Sequence, residues 1–378
     1  MITVNCIGAG RWGPNLVRSF ENLPGARAHI VCDVNEHALA RIREHISGVV
    51  TTGDVRRAIE DPVADAVVVA TPVRTHYDLA RRGLEAGKHV FVEKPLCTSV
   101  EHCHRLIELA EKNGLILAVG HVFLFNAGIR KIRELIDSGE LGRIHYMHAT
   151  RTNLGPIRDD VNAAWDLASH DLSIFDYWLG RAPVAVSAHG QCFLGGVHED
   201  VVVASYHYQN DVLACLHVSW LNPRKVREIT LVGDRKMAVW NDMDLIEPVR
   251  VYDKSASPEP ETPYADSFGA ARAIIRDGDV VAPKVTGKEP LAAECAHFVD
   301  CIRTRSRPLN NARAATGIVE TLTATDESIR QKGGQVLVHR GVAQRVLCTS
   351  TRPSPTVPAP PERPAGVVDE VQTTSVGA

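Results

Sequence analysis

Three groups of residues in this chain have types and spacings that could carry out one reaction between them, and a fourth has the residue types of a metal site. Gly8-Ala9-Gly10-Arg11-Trp12-Gly13 is a GxGxxG that follows a β-branched run and precedes a helix opening at Pro14. Asp33 closes the next β-branched run, 20 residues after Gly13. In that context the motif is a dinucleotide cradle. Gly8 permits a tight turn, Gly10 lets the backbone approach a pyrophosphate, and Gly13 lets helix and strand pack closely. The helix start presents oriented N–H donors to the phosphate charge. Arg11 and Trp12 lie inside the loop and belong to the same cofactor-binding set. Asp33 can accept hydrogen bonds from ribose hydroxyls, and Val34-Asn35-Glu36 beside it offers no arginine for a 2′-phosphate, so NAD is expected rather than NADP.

The second group is Glu93-Lys94-Pro95, at the end of the apolar run His89 to Val92. At the carboxyl edge of a parallel sheet, Lys94 can donate to a carbinol oxygen and stabilise its developing charge. Pro95 restricts Lys94 to extended backbone, and Glu93 is placed to steer it. The third group is Asp166 and His170, four apart on a segment whose apolar residues Leu167, Ile174, Phe175 and Trp178 form one side of a helix stopped by Gly180. If Asp166 holds one imidazole nitrogen, the other can take the proton of a substrate hydroxyl. The fourth, Cys97, His102, Cys103 and His104, suggests a metal site, but neighbouring helical positions diverge and no metal is expected.

These residues need elements to hold them. Up to about residue 120, short β-branched runs alternate with helical stretches, the pattern of βαβ units and a parallel sheet. Beyond a helix near residues 127–138 the strands lengthen and alternate polar with apolar, and residues 201–208 and 212–220 read as an antiparallel hairpin. Helices near 291–303 and 312–330 are expected to pack on one face of that second sheet. The fold class is therefore α/β, an N-terminal doubly wound Rossmann sheet followed by an α+β domain with a large, mostly antiparallel open sheet. We place a cofactor domain at residues 1–121, a substrate-binding and oligomerisation domain at 122–345, and a disordered tail at 349–378, where prolines recur without hydrophobic period.

Composition narrows the partners. The 378 residues are 44% hydrophobic, enough for substantial cores, and 42 basic against 45 acidic residues give a net charge of −3. Neither nucleic acid nor an anionic membrane is implied. No apolar run reaches the roughly 20 residues of a membrane span, and the chain opens as a strand rather than a signal peptide, so a cytoplasmic location is expected. Nine cysteines, none in a CxxC pair, read as reduced thiols.

Taken together, the GxGxxG, Ala70-Thr71-Pro72 with His76, Glu93-Lys94-Pro95 and Asp166 with His170 resemble the Gfo/Idh/MocA oxidoreductase family in order and spacing across residues 1–340. The resemblance implies Lys94 as the carbinol-binding residue, His170 as general acid/base, Asp166 as its partner or a substrate contact, and Thr71, Pro72 and His76 beside the nicotinamide. It also implies hydride transfer to nicotinamide and homodimers or homotetramers joined through the open sheet. The run from Asn153 through Arg158 and Asn162 to Trp165 is similar to the branch acting on nucleotide sugars and amino sugars. On that basis the expected reaction is oxidation of a secondary sugar hydroxyl, at C3, to a ketone. A dehydrogenase or ketoreductase for a cyclitol, aminoglycoside or keto-sugar is the alternative within enzymes, and a non-catalytic dinucleotide sensor the alternative outside them. Asn126, Arg158, Asn162 and Trp165 complete the expected substrate contacts. Arg158 can meet a phosphate or remain a solvated loop arginine. Asn126 and Arg130 can face the cleft or simply cap and solvate their helix.

Overall fold

The computed structural model describes residues 1–258 and 273–338, and the expected tail at 349–378 lies outside them. Six short apolar runs build the first sheet: β1 Ile2–Ile7, β2 Ala26–Cys32, β3 Val50–Thr52, β4 Ala66–Val69, β5 His89–Glu93 and β6 Leu117–Gly120. All pairs are parallel, in the order β3-β2-β1-β4-β5-β6. A parallel sheet is covered on both faces, which is why every residue of β4 is apolar and buried. The covering helices are α1 Gly13–Glu21, α2 Glu36–His45, α3 Val55–Ile59, α4 His76–Glu85 and α5 Val100–Lys112. Asn35, Asp54 and Ser99 start three of them by accepting first-turn N–H groups. Strand order reverses between β1 and β4, so a crevice opens at their carboxyl ends, where Gly8 and Ala70 lie.

Helices α6 Ala127–Asp137 and α7 Ser169–Leu179 accompany a second sheet of nine strands: β7 Ile144–Leu154, β8 Ala185–Gln191, β9 Val201–His207, β10 Leu213–Ser219, β11 Leu221–Gly233, β12 Met237–Asn241, β13 Val249–Pro258, β14 Ala273–Val281 and β15 Val336–Leu337. Their order is β14-β13-β12-β11-β7-β10-β9-β8-β15. Among the described residues only β7 and β10 pair in parallel in this sheet. One face is covered: along β10, Ala214, Leu216 and Val218 are buried while Leu213, Cys215 and His217 are partly open. The expected hairpin forms from β9 and β10, with Asn210 and Asp211 both left-handed at φ 63° and 57°, a conformation these two side chains tolerate.

The late helices correct one expectation. Helix α9 Ala312–Arg330 packs on the second sheet, where Ser328 Oγ accepts the Ala188 N–H at 2.8 Å. Helix α8 Pro290–Thr304 returns instead to the first sheet. Phe298 meets Phe91 and Phe20 edge-on, with ring centroids 5.6 and 6.4 Å apart, and Arg303 donates to the Gly25 carbonyl at 2.6 Å. Helical periodicity identifies the apolar stripe of Leu291, Cys295, Phe298 and Ile302, but a stripe does not state which of two sheets it covers. Among the described residues no helix is long and apolar enough to cross a membrane.

Candidate active site

The glycine loop is held from three sides. Gly8 has φ +106°, and a Cβ there would stand 2.5 Å from the Ala70 carbonyl oxygen. A Cβ on Gly13 would drive into the Gly8 carbonyl, whereas one on Gly10 would meet nothing within 4 Å. Gly10 thus faces the open space that a pyrophosphate requires, and the loop fits a dinucleotide. Asp33 accepts the Ala9 N–H at 2.6 Å and the Asn35 N–H at 2.8 Å, so it shapes the loop as well as offering its remaining lone pairs to ribose hydroxyls. Arg11 is exposed, while Trp12, 40% exposed, donates its indole N–H to Glu93. Burial pushes the Glu93 carboxyl up to about 7, against the opposing pull of Lys94 and of the Lys94 N–H and Trp12 hydrogen bonds.

Lys94 leaves the end of β5, as expected, and crosses to the second half of the molecule. Its Nζ donates to the Asp166 carbonyl oxygen at 2.5 Å and lies 3.2 Å from Asp166 Oδ1. Asp166 also accepts from Arg158 through Oδ1 and from the Trp220 indole through Oδ2, each at 3.2 Å. Burial works to raise its carboxyl, but Lys94 and Arg158, with the hydrogen bonds from Lys94 and Trp220, hold it below the usual range. The Lys94–Pro95 peptide is cis. The Asp166 carboxylate and the Lys94 amine form a charged, partly buried pair.

His170 stands in the first turn of α7, but Asp166 is not its partner. Residues Ala164–Ala168 form a π-turn, in which the Ser169 N–H reaches back to the Ala164 carbonyl. The four-residue spacing that pairs side chains on an α-helix does not carry across that turn. No hydrogen bond joins the two side chains, and His170 Nδ1 is sealed without a partner. Burial first, then the charges of Lys94, Arg151 and Arg227 and the ring of His121, hold the imidazole neutral, well below its usual 6.5. Phe123 meets the His170 ring edge-on at 5.0 Å. Arg151 lies over the same phenyl ring at 4.5 Å and pairs with Asp171 through two bonds of 2.8 Å, both side chains almost fully buried. This bidentate pair fastens β7 to α7 one residue beyond His170.

Several expected contacts are struts rather than open groups. His76 is 1% exposed, and its nitrogens face the Thr71 and Pro95 carbonyls, each at 2.8 Å. With both nitrogens engaged, it ties the Ala70-Thr71-Pro72 loop to the segment following Lys94, and the Thr71 hydroxyl accepts from Thr75 at 2.7 Å. Asn162 donates to Glu199 and Asp326 at 2.8 and 2.9 Å, and Trp165 donates to Asp326 at 2.7 Å. Both are buried with their polar atoms satisfied, so neither is free for substrate. Asn126 caps α6 through Gly128 and Ile129. Arg130 donates to the Leu124 carbonyl and is exposed. Arg158 is neutralised by Asp160 through bonds of 2.8 and 2.7 Å. Cys97 precedes α5 rather than lying in it, so its thiol does meet Cys103, while His102 stacks on Tyr77. Among the described residues no His, Cys, Asp or Glu group is arranged to hold a metal ion.

Two family models cover both halves of this arrangement. One, described as an oxidoreductase family with an NAD-binding Rossmann fold, matches residues 2–121, and the Gfo/Idh/MocA C-terminal domain matches residues 129–239. The chain belongs to the Gfo/Idh/MocA oxidoreductases. It is 33% identical over 194 residues to the scyllo-inositol 2-dehydrogenase (NAD(+)) of Bacillus subtilis, covering 49% of this chain and 56% of that one. It is 30% identical over 192 residues to the myo-inositol 2-dehydrogenase of Thermotoga maritima, covering 50% and 58%. The chain spans between about a half and two thirds of the length of the curated relatives it matches. A putative oxidoreductase from Magnetospirillum magnetotacticum superposes with a TM-score of 0.71 at 26% identity, over 85% of this chain and 99% of its own. The UDP-N-acetylglucosamine 3-dehydrogenase of Acidithiobacillus ferrooxidans shares the fold, with a TM-score of 0.73 at 22% identity over 88% and 99%.

Of the Gfo/Idh/MocA motif residues in this chain, Lys94, Asp166 and His170 converge on one crevice, and Gly8, Gly10, Gly13 and Asp33 form the loop that opens into it. Sequence reasoning missed Arg151, Asp171, Phe123, His121 and Trp220. Asp171 adjoins His170 and His121 follows the last strand of the first sheet, so both carried a positional signal. Arg151 carried none, since an arginine inside a strand pattern reads as an outward charge.

Proposed function

We propose that the protein is an NAD-dependent dehydrogenase that oxidises a secondary ring hydroxyl of a sugar or cyclitol to a ketone. One observation carries the reading: a lysine amine and a neutral imidazole share a crevice that begins at a dinucleotide loop. NAD, when bound, supplies the hydride acceptor. Lys94 donates to the hydroxyl oxygen and stabilises the negative charge it gains as its proton leaves. His170 receives that proton as general base, and the charges of Lys94, Arg151 and Arg227 keep it unprotonated beforehand. Asp166 holds Lys94 in place through its main-chain oxygen and its carboxylate. Asp33, with a carboxylate where a 2′-phosphate would stand, favours NAD over NADP.

Relatives named as inositol 2-dehydrogenases support a neutral polyol ring as substrate. So does the pairing of Arg158 with Asp160, which leaves that arginine no free charge for a phosphate. The narrower reading, C3 of a nucleotide sugar, draws on the exposed flank of Arg158 and requires Asp160 to release it. Self-association through the outward face of the second sheet belongs to the same proposal and is measured by light scattering. The deciding experiment follows NADH absorbance with NAD and separate panels of inositols, free hexoses, aminoglycosides and UDP- or dTDP-sugars. Turnover confined to inositols or hexoses supports the reading, and turnover confined to nucleotide sugars replaces it with the narrower one. Tight NAD binding with no turnover in either direction would make the protein a dinucleotide sensor.

A further inference from the structure

The crevice contains a second histidine that the proposed reaction has not used. His121 follows Gly120, the residue of β6 paired with Glu93 on β5, so His121 and Lys94 leave neighbouring strands side by side. Its ring is 2% exposed, and both of its nitrogens are sealed from solvent without a hydrogen-bond partner. A neutral imidazole carries one donor and one acceptor, and buried polar groups are ordinarily matched. His170 Nδ1, on which His121 acts across the crevice, is sealed and unmatched as well. The turn Val122–Phe125, which begins at His121, packs on α7 through Phe123 and the His170 ring.

A base that works through Nε2 needs its proton on Nδ1, and that tautomer persists only where an acceptor faces Nδ1. Lys94, Arg151 and Arg227, which face His170 from β5, β7 and β11, are donors only. The Asp166 carboxylate is occupied by Lys94, Arg158 and Trp220. Among the titratable side chains acting on His170, His121 is the one with a lone pair to offer.

We propose that His121 is the positioning partner of His170, accepting its Nδ1–H through one enclosed water and so leaving Nε2 free to take the substrate proton. The proposal rests on the reading of His170 as the general base. It gives the orienting role to a residue on the rim of the cofactor sheet, so the two halves of the molecule jointly set the base.

The test is the tautomer of His170 in the full chain, labelled with 15N-histidine and read by long-range proton–nitrogen correlation. The His170 signals are assigned by their loss in His170→Asn. The expected native spectrum shows a protonated Nδ1 and a bare Nε2. In His121→Phe, His170 should move to the Nε2–H form or a mixture, with kcat about 100-fold lower and NAD affinity kept. His121→Asn, which restores an acceptor, should recover the native tautomer and most of kcat. A native His170 protonated on Nε2 overturns the proposal, as does an unchanged Nδ1–H form in folded His121→Phe. If His121→Phe does not fold, the native spectrum decides. The tautomer requires no substrate, so silence across the substrate panels would defeat the dehydrogenase reading without touching this measurement.

Discussion

The two ends of the crevice are built on opposite terms. At the glycine loop the main chain does the work, and its groups are matched: Asp33 takes the Ala9 and Asn35 N–H groups, and Trp12 is tied to Glu93. At the Lys94 end side chains do the work, and several polar atoms are sealed without partners, among them His121 Nδ1 and Nε2 and His170 Nδ1. A main-chain cradle suits the portion of a ligand that never changes. A cluster of unmatched side chains beside a cation is a place where protons and charge are redistributed. The cofactor end is finished before any ligand arrives, whereas the reacting end is completed by one.

The sharpest break of that contrast comes from the reacting end. Lys94→Ala and His170→Ala should each lower turnover about 10²- to 10⁴-fold while NAD affinity, read by calorimetry, stays near native. Near-native rates in either variant would remove the mechanism. The converse change is Gly10→Val, which fills the open space of the loop. It should weaken NAD about 10-fold or more, a loss of about 1.4 kcal/mol or more, and leave melting temperature almost unmoved. The struts should behave in a third way: Asn162→Ala withdraws hydrogen bonds from Glu199 and Asp326 and should cost about 1–3 kcal/mol in denaturant unfolding, with a smaller effect on KM. A KM rise that dominated over lost stability would return Asn162 to the substrate site.

Two pH effects complete the series. His170 sits below its usual 6.5, so a base there stays unprotonated on acidification, and the acid limb of kcat/KM should fall below pH 6.5. Glu93 carries the opposite sign. Its folded value is about 7 against an ordinary 4.5, so the folded state binds the extra proton between those values and loses stability as pH rises through them. Glu93→Gln should therefore gain melting temperature relative to the native chain from about pH 5 to about pH 8. A constant difference across that range would show that Glu93 titrates normally.

How much was legible in the sequence follows the same division. The glycine loop, Asp33 and the strand bearing Lys94 depend on residues close in the chain, where spacing and turn chemistry speak directly. The surroundings of His170 depend on partners far apart. Trp165 finds Asp326 at a separation of 161 residues, and Lys94 finds Asp166 at 72. Asp166 and His170 looked like a pair because α-helical spacing was assumed, and a π-turn removes that assumption. His76 was placed by its motif beside the nicotinamide, yet two carbonyls claim its ring. Motif spacing locates a residue along an element, while the groups around it decide whether its polar atoms remain available.

The return of α8 to the first sheet sets an order of assembly. Phe20 and Phe91 are synthesised early, but the ring that covers them, Phe298, emerges near the end of the chain. A ribosome-bound intermediate can pair all six parallel strands while still presenting that uncovered aromatic surface. Residues 1–121 expressed alone would keep the whole glycine motif and lack the lid of their own core. They would depend on a separately supplied 290–304 helix, or on chaperones, to remain dispersed.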